Sequence, residues 1–408
     1  MSVSSSTRPR RLLPPVPDRA LAENVTAAFT DAFDAAPQGV WIAPGRANII
    51  GEHVDYVGGR VVPFALPYAT AVAVRIRSDD VVRCTSTGPQ QDWIGRAGDV
   101  GPGTPSGWAG YAAGVLWAMA YHESIARMPG ADIAVTSTVP QGAGLSSSAA
   151  LECAVALAVA ELSGVATDDA GRAVLARDCA TAENVVVGAA TGLMDQSVSL
   201  RARRGHAMVL DCADGTVEHV AVDDVNPDLA LMVINTNSPH RLVQGDYGRC
   251  RTLVEQACAR VDREVLDGAT EVDVQDVVDL ATLGAHHLRR PLRHVLTEVR
   301  RVHAAVGRLR AADLAAVGPL LSASHRSLRD DLGVSSVELD SAVEAALGAG
   351  ALGARMIGGG FGGSVLALVD AADTATVAEA VLRRAHDDGL PRPRFLAADC
   401  AAAARRVY

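Results

Sequence analysis

The amino-acid sequence predicts an α+β protein of two domains, and three observations support this prediction. The chain has 408 residues, a length at which chains usually divide into more than one domain. Segments with the alternating polarity of strands interchange with segments that have helical spacing of apolar residues. Near residues 203–220, arginine-rich and Asp/Gly-rich stretches flank a strand-like segment. We therefore predict an amino-terminal domain over residues 19–210 and a carboxy-terminal domain over residues 211–408.

The spacing of apolar residues also predicts the individual elements. Strands are expected at 40–43, 69–77, 131–139, 206–211 and 229–236, and on both sides of a glycine turn within 354–369. Helices are expected at about 106–127, 146–163, 169–187 and 371–388, with a largely helical region over 244–350. Residues 1–18 are rich in Ser, Arg and Pro. They predict a disordered arm rather than a signal peptide, because they contain no apolar core stretch.

Composition argues against several classes of function. A net charge of −10 and an isoelectric point near 5.6 disfavour nucleic acid as a partner. Seven cysteines without a C-x-x-C pair predict reduced thiols in a cytoplasmic protein, rather than a disulfide framework or a zinc site. No uncharged apolar run reaches the length that crosses a membrane, so we expect no membrane partner either.

The segment from Pro140 to Glu152, PQGAGLSSSAALE, joins a glycine-serine turn to an apolar helix. The amino terminus of a helix presents unpaired N–H groups and the positive end of the helix dipole. An anion, most often a phosphate, is the natural ligand of such a junction. Helix capping by serine is the structural alternative, but three consecutive serines after Gly-x-Gly are more than a cap requires. We therefore predict a phosphate-binding turn.

The chain contains no lysine, because all 37 of its basic residues are arginine. A Walker loop and a protein kinase both need a lysine on the phosphates, and a Schiff-base enzyme needs a lysine nucleophile. The sequence excludes all three classes. Any bound phosphate must be held by backbone amides, hydroxyl groups, arginine and metal.

A loop between two predicted strands, Gly45 to Gly59, has the sequence GRANIIGEHVDYVGG. Its polar residues are Arg46, Glu52, His53, Asp55 and Tyr56. A solvated turn is the structural alternative, since loops tolerate charge. Apolar Ile49 and Ile50 would instead bury the middle of the loop and hold its charged residues in place. Carboxylates and imidazoles of this kind bind the neighbouring hydroxyl groups of sugars.

A third segment, ARMIGGGFGGSVLALV at 354–369, fits the spacing G-x-G-x-x-G. A dinucleotide-binding fingerprint requires a helix directly after the glycines, whereas a strand follows here. We interpret these glycines as residues that allow close approach of the backbone to a ligand or another loop.

These three segments resemble the three signature motifs of the GHMP kinases, and GRANIIGEHVDY in particular resembles the signature of the galactokinase family. Two further segments agree with that family: NTNSPHRLVQGDYGRCR at 235–251 and SASHRSLRDDLGVSSVELD at 322–340. The similarity extends from about Trp41 to Leu368. It implies a GHMP-kinase-like α+β fold with the active site in the cleft between two domains. It also implies a monomeric enzyme that phosphorylates galactose with ATP and Mg²⁺.

The resemblance implies roles for individual residues as well. Asp195 would accept the proton of the anomeric hydroxyl, and Arg46 would keep Asp195 ionised and stabilise the phosphoryl group in transfer. The sugar would contact Glu52, His53, Asp55, Gly192 and Tyr247. The ATP phosphates would contact Gly142, Ala143, Gly144, Leu145, Ser146, Ser147 and Ser148. Ser148 and Glu183 would hold Mg²⁺.

The chain departs from the family pattern at Val57, at Ile357 and at Leu332-Gly333. Ile357 replaces a threonine beside the glycines, so a hydroxyl near the phosphates is lost. Two alternatives to a galactokinase remain open. One is a related sugar-1-kinase that acts on N-acetylgalactosamine, galacturonate or arabinose, and the other is a non-catalytic galactose sensor.

Overall fold

A computed structural model describes residues 12–189, 191–238, 244–266 and 273–408. In these ranges the strands are β1 (Leu12–Leu13), β2 (Gly39–Asn48), β3 (Arg60–Val61), β4 (Pro63–Arg77), β5 (Val81–Ser86), β6 (Trp93–Arg96), β7 (Gly130–Ser137), β8 (His206–Asp211), β9 (Val217–Ala221), β10 (Leu229–Asn235), β11 (Gly353–Ile357), β12 (Ser364–Asp370), β13 (Arg394–Ala397) and β14 (Arg405–Arg406).

The helices in the same ranges are α1 (Asp18–Phe33), α2 (Trp108–Tyr121), α3 (Ser147–Leu162), α4 (Asp169–Thr181), α5 (Met194–Arg201), α6 (Gln244–Cys258), α7 (Arg263–Leu266), α8 (Val274–Ala281), α9 (Arg289–Arg310), α10 (Gly318–Ser327), α11 (Val337–Gly348) and α12 (Thr374–Asp387). Two π-helical segments, Ala182–Val187 and Leu328–Leu332, continue α4 and α10. Among the described residues, no helix has both the length and the apolar character needed to cross a membrane.

The largest sheet has six strands in the order β14-β2-β4-β7-β5-β6. Successive side chains of a strand point to opposite faces, and β2 shows why this sheet is buried on both. Val40 and Ile42 pack with α1 in one apolar cluster, whereas Trp41 and Ala43 pack with α2 and α3 in another. The polar end of β2, which carries Arg46, extends beyond these clusters towards the functional loops.

The second sheet has five strands in the order β1-β13-β10-β12-β11. A third sheet has three strands in the order β3-β8-β9. Strand β12 is the antiparallel neighbour of both β10 and β11. The glycine turn therefore connects two paired strands, β11 and β12, as the sequence predicts. Among the described residues 273–350 the structure is largely helical, in agreement with the prediction for that region.

Each end of the described chain adds a short edge strand to a sheet. Leu12 and Leu13 pair with β13 of the five-stranded sheet, and Tyr68 donates a hydrogen bond to the carbonyl of Leu13 at 2.6 Å. Arg405 and Arg406 pair with β2 of the six-stranded sheet. The predicted disordered arm is thus wrong for residues 12–18, because a two-residue edge strand is too short to give a periodic signal. Residues 1–11 lie outside the described residues, and a domain boundary at 210/211 stays a prediction.

Candidate active site

Arg46 and Asp195 form a bidentate ion pair, although they are 149 positions apart in the chain. Nε of Arg46 donates to Oδ1 of Asp195 at 2.8 Å, and Nη2 donates to Oδ2 at 2.8 Å. Arg46 is buried at the end of β2, and the Asp195 side chain, in the first turn of α5, keeps 22% of its surface exposed. Two parallel hydrogen bonds from one guanidinium fix the plane of the carboxylate. The structure therefore brings together the predicted base and its predicted arginine partner.

Arg46 also binds the backbone of the predicted phosphate turn. Nη1 of Arg46 donates to the carbonyl of Gly144 at 2.6 Å, and its backbone N–H donates to the carbonyl of Leu145 at 3.1 Å. Gly142 and Gly144 have φ values of 67° and 72°, which favour glycine. Ala143 and Leu145 are buried and anchor the turn, whereas Gly142, Gly144 and the serines after them keep some exposure.

Ser146 does not cap the helix that follows it. It precedes α3 in a left-handed conformation with φ of 58°, and its hydroxyl donates to Oδ2 of Asp195 rather than to the helix. The helix-capping alternative is therefore wrong for this serine. Its hydroxyl connects the phosphate turn to the predicted base, and the first N–H groups of α3 remain open to an anion.

Glu183 lies in the π-helical segment that continues α4, a type of distortion common at functional sites. Its carboxylate accepts hydrogen bonds from Gln196 Nε2 at 2.7 Å and from the Thr191 hydroxyl at 3.1 Å. Burial, followed by repulsion from Asp195, raises the pKa of Glu183 to about 7, and a hydrogen bond from Ser148 opposes this shift. Ser148 and Glu183, from consecutive helical segments, therefore meet as the resemblance implies.

The predicted sugar-contacting residues also converge. A Cβ atom placed on Gly192 would lie 2.0 Å from Oδ2 of Asp55, so only glycine fits against this carboxylate. Tyr247 packs on Gly359 of the glycine turn, and its ring centre lies 5.7 Å from that of His53. Residues 239–243 of the segment that carries Tyr247 lie outside the described residues.

Asp55 and His53 have strongly altered acidities. Burial, with repulsion from Asp195 and Glu52, raises the pKa of Asp55 to about 7. Burial lowers the pKa of His53 to about 3, so His53 is neutral at physiological pH. Nδ1 of His53 is hydrogen-bonded to the Tyr56 hydroxyl at 2.9 Å, and the buried ring also interacts with the backbone of Gly359. Asp55 is thus the titrating group of this cluster near neutral pH.

The glycine turn at 358–363 lies between the other two segments. The Gly358 N–H donates to Oε1 of Glu52 at 2.9 Å, and a Cβ atom on Gly358 would lie 3.2 Å from the Gly144 carbonyl. Ile357 is fully buried in the same apolar cluster as Ile49 and Ile50. The same cluster contains Ala143 and Leu145 of the phosphate turn, so Ile357 belongs to the apolar core beneath that turn.

Sequence reasoning missed several buried polar residues around the site. Gln196 bridges Glu183 and Glu152, and Arg355 pairs with Glu52. Glu298 and His294 of α9 bind the backbone of Gly51 and Glu52. A single buried charge produces no periodic pattern, so nothing in the local sequence indicates these contacts. The segment 322–340 gave one indirect signal, since its Ser324 and Ser327 hydroxyls bind Glu298 and His294.

Comparison with known families agrees with this geometry. Residues 110–203 match the model of the GHMP kinases N terminal domain, and residues 305–388 match that of the GHMP kinases C terminal. The methanococcal mevalonate kinase from Methanococcus jannaschii has the same fold, with a TM-score of 0.61 at 14% identity over 89% of this chain and 98% of that one. The fold is that of a GHMP kinase, a class of phosphotransferase enzymes.

More specific similarities identify the family within this class. Residues 27–76 match the galactokinase galactose-binding signature. A galactokinase from Streptomyces coelicolor is 42% identical over 390 residues, which cover 95% of this chain and 99% of that protein. The crystal structure of Lactococcus lactis galactokinase complexed with galactose matches with a TM-score of 0.86 at 28% identity, over 94% of this chain and 99% of that one. The chain belongs to the galactokinase family.

Proposed function

We propose that this protein transfers the γ-phosphoryl group of ATP to the anomeric hydroxyl of D-galactose and forms α-D-galactose 1-phosphate. The observation that carries the proposal is the bidentate pair of Arg46 and Asp195, placed where the phosphate turn meets the loop of the galactose-binding signature. Phosphoryl transfer depends on positioning and on charge stabilisation at this kind of junction.

Asp195 is suited to act as the base. Two N–H groups of Arg46 and the hydroxyl of Ser146 account for three of the roughly four acceptor positions that a carboxylate offers. The exposed part of the side chain leaves one position open to the cleft. A sugar hydroxyl bound there could donate its proton to Asp195 as its oxygen attacks the phosphoryl group.

Arg46 contributes to the same step by binding both the proposed base and the phosphate turn. Its fork holds Asp195, and its Nη1 holds the carbonyl of Gly144 in the phosphate turn. The guanidinium therefore keeps the base at a fixed distance from the place where the turn would bind the γ-phosphate. Its positive charge also stabilises the negative charge that spreads over the phosphoryl oxygens during transfer.

The proposed galactose contacts are Glu52, His53, Asp55, Gly192 and Tyr247. Support comes from their convergence beside Asp195 and from the galactose complex of the Lactococcus lactis relative. The carboxylates of Glu52 and Asp55 can accept hydrogen bonds from neighbouring sugar hydroxyls. Tyr247, which lies on α6, packs its ring on Gly359 of the glycine turn beside these carboxylates.

The residues present fit a Mg²⁺ ion bound with ATP. Ser148 and Glu183 supply oxygen donors, the type of ligand that Mg²⁺ prefers. Within the described ranges, no cluster of three or more His, Cys, Asp or Glu side chains is arranged for a metal. Mg²⁺ would take its other ligands from phosphates and water. When bound, Mg²⁺ would neutralise charge on the phosphates.

Replacing Glu183 by glutamine should raise the Mg²⁺ concentration that gives half-maximal activity, by about 10-fold or more, because a neutral amide binds the ion weakly. A Mg²⁺ titration at saturating ATP and galactose measures this, and Mn²⁺ binding followed by electron paramagnetic resonance gives a second readout. Glu161→Gln is the matched control, since Glu161 binds only the Trp41 indole in the hydrogen bonds seen here. An unchanged titration would assign Glu183 a structural role.

The affinity for galactose should fall as the pH decreases below 7. The raised pKa of Asp55, about 7, means that the carboxylate becomes protonated below neutral pH. The ionised form accepts hydrogen bonds from two sugar hydroxyls, whereas the protonated form does so poorly. The dissociation constant should rise by up to about 10-fold for each pH unit below 7 and level off above about pH 8.

Calorimetric titration with galactose from pH 5.5 to 8.5, without nucleotide, measures this dependence. Glu183 also has a raised pKa of about 7, so Glu183→Gln is titrated in parallel and should show the same pH dependence of galactose binding. His53 does not contribute either, because its pKa is lowered to about 3. Asp55→Asn should bind galactose weakly and independently of pH, and a pH-independent affinity in the unaltered protein would contradict the assignment.

A kinase assay over a panel of free sugars tests the proposed substrate. We expect galactose to give the highest kcat/KM among galactose, N-acetylgalactosamine, galacturonate and arabinose. A higher value for one of the other sugars would identify the related sugar-1-kinase instead. Galactose binding without turnover on any sugar would support the sensor alternative.

A further inference from the structure

Arg355 is a fully buried arginine that reaches from β11 to the sugar-binding loop. Its Nη1 donates to the carbonyl of Ile49 at 2.9 Å. Its Nη2 lies 2.9 Å from Oε1 of Glu52 in an ion pair that lacks hydrogen-bond geometry. Its Nε donates to the carbonyl of Met356 at 3.0 Å. Burying a guanidinium is unfavourable, and an apolar side chain of similar size would avoid that cost. The groups that Arg355 holds therefore give a reason for its presence.

The two oxygens of Glu52 have different surroundings. Oε1 accepts the Gly358 N–H at 2.9 Å and lies against Arg355, whereas no hydrogen bond to Oε2 occurs among the described residues. Glu52 repels the charged form of Asp55 and attracts Arg46, so its carboxylate is near both. One oxygen is thus held by the protein, and the other is left for a ligand beside Asp55.

The backbone of the same loop is held by a separate set of contacts. The Gly51 N–H donates to Oε1 of Glu298 at 3.0 Å, and the Glu52 carbonyl is bonded to Nε2 of His294 at 3.1 Å. Both partners lie on α9. Because α9 already fixes the loop backbone, the groups left to orient the carboxylate itself are the Gly358 N–H and the positive charge of Arg355.

We propose that Arg355 is a positioning residue for sugar recognition, which aims Oε2 of Glu52 at one hydroxyl of the bound sugar. This inference rests on the proposed galactose site. Arg355 does not contact the sugar, and it acts through Glu52. A lysine in its place could hold Glu52 but not the Ile49 carbonyl as well, because an ammonium lacks the planar fork.

Replacing Arg355 by methionine should weaken galactose binding by about 10- to 100-fold, the usual effect of losing a group that orients a ligand-binding side chain. Arg355→Lys should show an intermediate loss, and it serves as the test if the methionine variant does not fold. Calorimetry with galactose alone measures binding without turnover. The dissociation constant of ATP should change less than about 2-fold, because the nucleotide turn is held by Arg46.

A double-mutant cycle separates positioning from general destabilisation. If Arg355 acts through Glu52, galactose binding by the Glu52→Gln/Arg355→Met variant should be about as weak as by Glu52→Gln alone. Additive losses would overturn the proposal, as would galactose binding within about 2-fold of the unaltered protein in folded Arg355→Met. Val82→Ala is the control, because it removes a buried side chain of β5 whose apolar cluster contains no residue of the loop at 45–59.

Titration with deoxygalactoses adds a readout that a structural role would not change. In the unaltered protein, removing the hydroxyl that Glu52 binds should weaken affinity strongly. In Arg355→Met, the loss caused by that same deoxy position should largely disappear, while losses at the other positions persist. Equal losses at every position in both proteins would contradict the proposal. Absence of galactose binding by the unaltered protein would instead contradict the proposed function.

Discussion

Replacing Asp195 by asparagine is expected to lower kcat by about 10²- to 10⁴-fold, the usual contribution of a general base, while galactose binding stays nearly unchanged. The amide keeps the shape of the carboxylate, and it cannot take the proton of the sugar hydroxyl. Its NH₂ group would also face the N–H groups of Arg46 or the hydroxyl of Ser146, which now donate to Asp195. Steady-state kinetics and galactose calorimetry on the same preparation measure both parts.

The chain contains a matched control for this variant. Asp169 forms the same bidentate pair with Arg201, with bonds of 3.0 Å and 2.8 Å, and its side chain is 70% exposed. Asp169→Asn should therefore retain ordinary turnover. Turnover close to that of the unaltered protein in folded Asp195→Asn would exclude Asp195 as the base.

Arg46→Lys is expected to lower kcat by about 10²-fold, the scale of losing one preorganised donor in an active site, although the positive charge is kept. Arg46 donates three side-chain hydrogen bonds, two to Asp195 and one to the Gly144 carbonyl. An ammonium on a flexible stem cannot make all three in the same directions. The base would be less firmly held in its present orientation, so kcat should fall while galactose binding stays nearly unchanged.

A structural role for Arg46 makes a different prediction. If Arg46 only tethers the turn, lysine should preserve turnover. The value of kcat at saturating galactose and ATP distinguishes the two roles. Arg201→Lys is the control, because it alters the pair with the exposed Asp169 and should leave kcat unchanged.

Much of the fold follows from local patterns in the sequence. The alternation in β4 places Val72 and Val74 on one face and Ala71 and Ala73 on the other, and each set joins a different apolar cluster. The predicted strand at 69–77 nevertheless begins too late, because β4 starts at Pro63. Its first residues are buried without interruption, so they show no alternation that would mark a strand.

Other elements lie beyond what local patterns can show. The predicted helix at 169–187 changes from α to π at Ala182, which moves Glu183 relative to α3. No propensity distinguishes these two kinds of helix. The helix α1 at Asp18–Phe33 was not predicted, and it packs one face on the six-stranded sheet through Leu21, Val25 and Phe29.

The candidate site was predictable in its residue types rather than in its contacts. The glycine-serine turn predicts an anion site from elementary physical chemistry, whereas the pairing of Arg46 with Asp195 came from family resemblance. The roles of Arg355, His294 and Glu298 required the structure, since their partners are 242 to 306 positions away in the chain. Long-range contacts between single polar residues leave no periodic trace in a sequence.

The most direct test of the proposed reaction is the identity of the phosphorylated product. Galactose, ATP and Mg²⁺ should be incubated with the protein, and the product should be examined by ¹H and ³¹P nuclear magnetic resonance, with Asp195→Asn in parallel. We predict a phosphorus coupled to the α-anomeric proton in the unaltered protein and almost none in the variant. Phosphorus on another carbon of the sugar, or equal product from both proteins, would contradict the assignment of Asp195 as the base that activates the anomeric hydroxyl.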